Sequence, residues 1–431
     1  MRRRGRLTFL FRGLVIVALL LLSVGGAAER EIPDLSKRIN DFTLDLLTHA
    51  VSGSEGNGIL SPQGIFHGLA MSYVASGGDT REELAAAVHF PDDNDQLLKD
   101  LQALRKQILA DRGTKVDMNL ANSAWLDDTH VTFRKDYRRK LEGGFGASLN
   151  PVKFKDAAGV AAKINSWVSE ETKGRITQVV SADDLKSRSV PALDVTDDPA
   201  LVLVDAIYFK ANWASRFKAA ETAPKPFRLD PATTQDVPMM HQNELFNYSE
   251  SDRFQFIDMP YVHGKYSMCV LLPKQVISVK QAVANLTAAE ILDLRLKAFP
   301  HRVDVLLPKF EITRHLDLKD LLSDMGVKAA FDNRKADFHE MIDQPLDEYR
   351  IYLRRVYHDA WIRTDENGSE AAAATTTVGF GCSVSAPPAP AQFHADHPFL
   401  FFIVHNPSRS VLFAGWIAKP KDLAPAPVPG K

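Results

Sequence analysis

Cysteine is almost missing from this chain, with only Cys269 and Cys382 among 431 residues. A framework of disulfides is therefore excluded as the source of stability, and a bond between these two cannot be argued from sequence. Cys269 lies in the apolar run YSMCVLLP and reads as a small buried hydrophobe. Charge of one sign is missing too. The formal net charge is -2, so no basic excess points to nucleic acid. The signatures HExxH, CxxC, GxSxG and the P-loop are absent. FHEMI around His339 lacks a second histidine, the glycine cluster GGFGAS follows no clear strand, and His394 and His397 in HADHP make a poor metal site by themselves. We therefore expect no enzyme, no metal and no cofactor. No long Gly- or Pro-rich linker divides the chain, which predicts one domain.

Long apolar runs are scarce as well. One follows four arginines at the N-terminus, from Gly13 to about Val24, and small residues end it at Ala27 and Ala28. This is the layout of a secretory signal over residues 1–28. The alternative, an uncleaved anchor, needs ~20 apolar residues, and this run is shorter. Residues 29–420 are then the folded domain, with no membrane attachment after cleavage, and 421–431 (KDLAPAPVPGK from Lys421) read as a Pro-rich disordered tail.

What the mature chain does contain is a sequence of helices followed by strands. Leu35, Ile39, Phe42 and Leu46 recur at one-turn spacing after Asp34, a suitable cap. Ala161, Ile164 and Val168 form a second stripe that Gly174 ends. LVLVDAIYF from Leu201 is nearly all apolar, as a strand buried on both faces must be, and RVDVLLPKF, PFLFFIV and SVLFAGWI are further strands. The order predicts an α+β fold with antiparallel or mixed sheets. One stretch fits no element cleanly: after Glu370 come four alanines and three threonines, and no charged side chain occurs between Ala371 and Phe393. Alanine favours helix and the β-branched residues favour strand, while the prolines near its end block both, so an exposed loop with strand potential is expected.

NGILSPQGIFHGLAMSYVASGGDTREEL, INSWVSEETKGRI, LVLVDAIYFKANW, YSMCVLLPKQ, VYHDAWIRTDENGSEAAAATT and ADHPFLFFIVHNPSRSVLFAGWIAKP resemble, in order and spacing, the motifs of the serpins from about Asp34 to Pro420. The resemblance implies three β-sheets, about eight or nine helices and an exposed reactive-centre loop. It further implies an inhibitor that offers the loop as a substrate and, once cleaved, inserts it as a new central strand while the protease is still an acyl ester. The hinge would be Glu366, Gly368, Ser369, Glu370, Ala371, Ala372, Ala373, Ala374 and Thr375, small enough to enter a sheet, with Glu370 alternating to the solvent face.

The family's usual loop length, counted from Glu366, puts the reactive bond at Cys382–Ser383, suited to an elastase-like pocket; Phe380, with a chymotrypsin-like target, is the alternative. Trp213 matches the entry point of the sheet, and Ser61, Asp205 and His358 match the place below it where strands part. The family commonly has asparagine at Asp205 and serine at Gly64, so a neutral network there becomes a possible Asp205–His358 ion pair. The implied partner is a serine protease, or a cysteine protease, held covalently one to one by a secreted monomer, extracellular or periplasmic. Non-inhibitory members of the family remain the alternative. Lys99, Arg105, Lys106 and Arg112, interrupted by Asp and Gln, read as a solvated face, and Asn247, Asn285 and Asn367 head sequons.

Overall fold

The computed structural model describes residues 33–54, 56–112, 116–186, 200–369 and 389–420. The expected signal segment, the C-terminal tail, the hinge from Glu370 to Thr375, Phe380, Cys382 and Ser383 lie outside the described residues. The α-helices are α1 (Asp34–Ser52), α2 (Pro62–Tyr73), α3 (Gly78–Val88), α4 (Asn94–Ala110), α5 (Lys135–Lys140), α6 (Ala157–Glu171), α7 (Ala182–Leu185), α8 (Val279–Val283), α9 (Ala288–Lys297) and α10 (Lys319–Asp324). The strands begin with β1 (Gly58–Leu60), β2 (Val116–Asp127), β3 (Ser148–Val152), β4 (Ala200–Asn212), β5 (Ala223–Arg228), β6 (Thr234–Glu250), β7 (Phe254–Pro260) and β8 (Tyr266–Pro273). They continue with β9 (Phe299–Pro308), β10 (Phe310–Asp317), β11 (Tyr352–Thr364), β12 (Gly368–Ser369), β13 (Ala391–His394), β14 (Phe399–His405) and β15 (Ser410–Ile417).

A six-stranded sheet runs β10-β11-β4-β2-β3, with β12 on β4, and a nine-stranded set runs β1-β15-β14-β8-β7-β6-β9-β13, with β5 on β6. The second set has two lobes. β6 carries β5 and β9 along most of its length and meets β7 only from Asn247 to Glu250, so the three expected sheets are the six-stranded one and these two lobes joined through β6.

The sequence patterns explain the elements. In β4 every residue but Lys210 is buried, because one face packs with α2 and the other with α6, which is what its unbroken apolar run requires. In α1 the stripe Leu35, Ile39, Phe42 and Leu46 is buried as expected, although Asp34 is the first helical residue and not the cap: Pro33 precedes the helix and Asp34 accepts from Arg38. α6 ends three positions before Gly174, whose φ of 75° suits the left-handed region that glycine fills. Arg105 departs from the solvated face expected of α4, since its guanidinium is part-buried and donates to the Leu120 carbonyl at 3.2 Å.

α2 is the pivot of the packing. All twelve of its residues are buried, between β15 on one side and β4 and β2 on the other, and its N-terminus is capped by Ser61 with Pro62 in the first turn. It carries His67, whose Nδ1 lies 3.3 Å from Gln63 Nε2 and whose Nε2 has no hydrogen-bond partner among the described residues. Burial, reinforced by the charge of Arg105, pushes the His67 pKa down to about 3. The unfolded chain takes up this proton near the ordinary value of 6.5 and the folded chain does not, so stability is full above that pH and falls as pH drops from there towards 3. His67→Gln should flatten the acid side of the stability curve by one proton, ~1.4 kcal/mol per pH unit, in denaturant titrations between pH 7 and pH 4.5. An unchanged slope would count against a neutral buried ring.

Candidate functional site

The site is the seam between β4 and β11. The two strands pair in parallel from Tyr352↔Ala200 to Trp361↔Tyr208. Above that point the chain leaves β11 at Thr364, turns through Glu366 and Asn367, and comes back as β12, antiparallel to β4, with Gly368 opposite Asn212 and Ser369 opposite Ala211. β2 occupies the other edge of β4 at Ala211, so β12 stands on the β11 side, at the mouth of the seam. The turn is closed by Asp365 N–H to Gly368 O at 2.9 Å and Gly368 N–H to Asp365 O at 3.2 Å. Gly368 has φ 142°, and a Cβ there would overlap the Ala211 carbonyl, so only glycine allows this approach.

Several groups hold the turn from outside. Trp213 donates its backbone N–H to Asn367 O at 2.9 Å and its indole N–H to Asp365 O at 3.0 Å, and Phe217 N–H reaches Glu366 O at 3.0 Å. The Glu366 carboxylate meets Lys309 Nζ at 3.0 Å and the Thr222 hydroxyl at 2.9 Å. Burial works to raise the pKa of Glu366, but its own backbone amide, Lys309 and Thr222 together hold it below the usual glutamate value. Ser369 is fully buried, its hydroxyl 3.0 Å from that of Tyr261, and the Tyr261 ring stacks on Trp213 at 4.6 Å and 4°.

Lower in the seam, Ser61, Asp205 and His358 come together. Ser61 N–H donates to His358 Nε2 at 3.0 Å, so Nδ1 carries the ring proton and donates to Asp205 Oδ2 at 2.7 Å. The contact between Asp205 and His358 read from sequence is present, and it is a hydrogen bond from a neutral imidazole to a carboxylate in place of the possible ion pair, because a second ring proton would face the Ser61 amide. Asn122 donates to Asp205 Oδ1 and to Gly64 O, both at 3.1 Å. Burial raises the pKa of Asp205, opposed by the hydrogen bonds from His358 and Asn122. The Ser61 hydroxyl donates to Leu412 O at 2.7 Å and caps Gly64 N–H at 3.2 Å, tying α2 to β15. A Cβ at Gly64 would overlap the Asp205 carboxylate and Ile207 Cδ1, so the two departures from the family pattern sit against each other.

Of the residues expected from sequence, Trp213, Glu366, Gly368 and Ser369 gather at the top of the seam, and Ser61, Asp205 and His358 gather below. Glu370, Ala371, Ala372, Ala373, Ala374, Thr375, Phe380, Cys382 and Ser383 fall outside the described residues. Tyr261, Lys309, Thr222 and Asn122 were not singled out by sequence. His394 and His397 bond separately, to Asp304 at 3.0 Å and Asp396 at 2.8 Å, and among the described residues no cluster of three or more histidine, cysteine or acidic side chains could hold a metal ion. Cys269 is a free, buried thiol whose pKa burial pushes up.

A mixed sheet whose central seam already admits the chain's own next strand at one end defines a class of protein. The family model described as serpin (serine protease inhibitor) matches residues 37–420, and the chain belongs to the serpin family. An uncharacterised serpin-like protein of Thermococcus kodakarensis is 34% identical over 89% of this chain and 85% of that protein. The leukocyte elastase inhibitor of Xenopus tropicalis is 33% identical over 90% of this chain and 100% of its own. Among solved structures, native protease nexin-1 with heparin has a TM-score of 0.77 at 27% identity, covering 90% of this chain and 99% of its own.

Gly64→Ala should lower stability by about 1–3 kcal/mol in denaturant unfolding, because the new methyl must displace Asp205 and Ile207 in a packed core. A change below about 0.5 kcal/mol would show that this part of the seam is slack.

Proposed function

We propose that the protein is a secreted, inhibitory serpin that traps a serine protease by inserting its cleaved reactive-centre loop between β4 and β11. The observation that carries this reading is β12: the hinge residues Gly368 and Ser369, small and uncharged, already lie in register on β4. Continuing that register down β4 sets Glu370 opposite Lys210, Ala371 opposite Phe209, Ala373 opposite Ile207, Thr375 opposite Asp205 and Phe380 opposite Ala200. The residues that share the face of Ser369 are then alanine, threonine and glycine, against the core that α2 fills. Insertion parts Asp205 from His358, and Thr375 arrives opposite Asp205 with a hydroxyl to offer.

The chemistry follows the acyl-transfer pathway of the protease. Its serine attacks the Cys382 carbonyl, the Ser383 amine leaves, and the loop is held as an ester. Insertion carries the esterified enzyme with it before water completes hydrolysis. A dozen new ladder hydrogen bonds at ~1 kcal/mol each give on the order of 10 kcal/mol, enough to make the step irreversible. Cys382 suits an elastase-like pocket, which agrees with the likeness to leukocyte elastase inhibitors; Phe380 directs the reading to a chymotrypsin-like enzyme. Secretion rests on the layout of residues 1–28, and the inhibitor acts as a monomer, one protease per molecule.

Incubation with elastase-, chymotrypsin- and trypsin-like proteases should give a complex that survives boiling in SDS with one of the first two, releasing a C-terminal peptide that begins at Ser383 with the elastase-like enzyme or at Gly381 with the chymotrypsin-like one. Cleavage without a complex would sink the inhibitory reading and leave a non-inhibitory serpin. Ala373→Arg should convert the inhibitor into a substrate, since the charge would enter the core face beside Ile207. Cys382→Arg should redirect it to trypsin-like enzymes.

A further inference from the structure

We infer that Tyr261 is a positioning residue for loop insertion: its hydroxyl docks Ser369 before any protease arrives, so that the inserting strand grows from a nucleus already in place. This rests on the inhibitory reading above and adds to it the step at which insertion starts. Ser369 and Tyr261 are both fully buried, and the Ser369 hydroxyl has no hydrogen-bond partner but the Tyr261 hydroxyl, 3.0 Å away, among the described residues. Water does not compete there. Burial raises the Tyr261 pKa, so the phenol stays neutral and can donate.

The geometry gives Tyr261 little freedom. Its ring lies flat on Trp213 and meets the edge of Phe209 at 5.2 Å, and its backbone N–H donates to Tyr266 O at 2.9 Å. Trp213 holds the backbone of the turn at Asp365 and Asn367, while Tyr261, stacked against it, holds the first side chain to enter. One aromatic pair thus fixes both the turn and the first residue of the new strand. The costly part of adding a strand is the first closure, after which each pair opened between β4 and β11 is replaced by pairs to the incoming chain. Because Ser369 keeps the same register before and after insertion, the Tyr261 hydroxyl speeds the start without changing the end state.

Insertion competes with hydrolysis of the acyl ester, so a slower start appears as more inhibitor consumed per protease inactivated. Tyr261→Phe keeps the stack and removes the hydroxyl; Ser369→Ala removes its partner. Each should raise the stoichiometry of inhibition several-fold, the double variant should raise it no further than either single one, and the initial rate of loop cleavage and the heat resistance of the cleaved protein should stay within two-fold and a few degrees of the parent. Hydrogen exchange of the peptide spanning Gly368 and Ser369 should be faster in both variants before any protease is added. Unchanged stoichiometry in Tyr261→Phe, or single effects that multiply in the double variant, would overturn the assignment. If the parent itself forms no SDS-stable complex, the inhibitory reading fails, and exchange alone decides the docking: equal exchange in parent and Tyr261→Phe overturns it.

Discussion

The parallel pairing of β4 with β11 governs the rest of this molecule, because it holds the six-stranded sheet together and, in the insertion proposed above, is the pairing that separates. Parallel ladders are slightly weaker per residue than antiparallel ones, and here a strand that can bond antiparallel to β4 begins directly after β11. The separation has no apolar penalty that the incoming strand does not repair, since both faces of β4 remain covered by the clusters around α2 and α6. What opens is a line of backbone hydrogen bonds, and backbone hydrogen bonds are what the new strand supplies.

The polar residues buried at the seam fit the same demand. In the proposed insertion a charged pair between β4 and β11 would leave two bare charges, whereas a neutral imidazole donating to Asp205 would leave His358 still bonded to the Ser61 amide and Asp205 still bonded to Asn122. Gly64 belongs to this arrangement, because the carboxylate occupies the space that a side chain at that position would need. Ser61 adds the link to the second sheet set through Leu412, so α2, β11 and β15 meet at one residue.

Much of this was legible in the sequence wherever one segment carries its own signal. β4 announced itself by an apolar run that only a strand covered on both faces tolerates, and α1 by its one-turn stripe. Of the hinge, Glu366, Gly368 and Ser369 were named from a family motif and stand together at the top of the seam, while Glu370 to Thr375 lie outside the described residues. Tyr261, Lys309, Thr222 and Asn122 could not be read, since each acts on a residue far along the chain: Tyr261 lies 108 positions from Ser369 and Asn122 lies 83 from Asp205. Nothing in PYVHGKY marks a tyrosine that faces a distant serine. The protonation of His358 was illegible for a similar reason, because the Ser61 amide that sets it is 297 positions away. The misplaced cap at Asp34 is a local error, where a side-chain preference was outweighed by Pro33 supplying the turn into the helix.

The anchoring of Glu366 sets where the hinge would turn in the proposed insertion. Lys309 and Thr222 fix its side chain and Phe217 its carbonyl, so the chain cannot pivot before Glu366. Trp213 fixes the carbonyl of Asn367, and Gly368 is the first position whose backbone takes a conformation closed to other residues. Among the described residues the chain is therefore held from Glu366 to Ser369, and Ser369 lies in register on the edge of β4 that β11 pairs with lower in the seam.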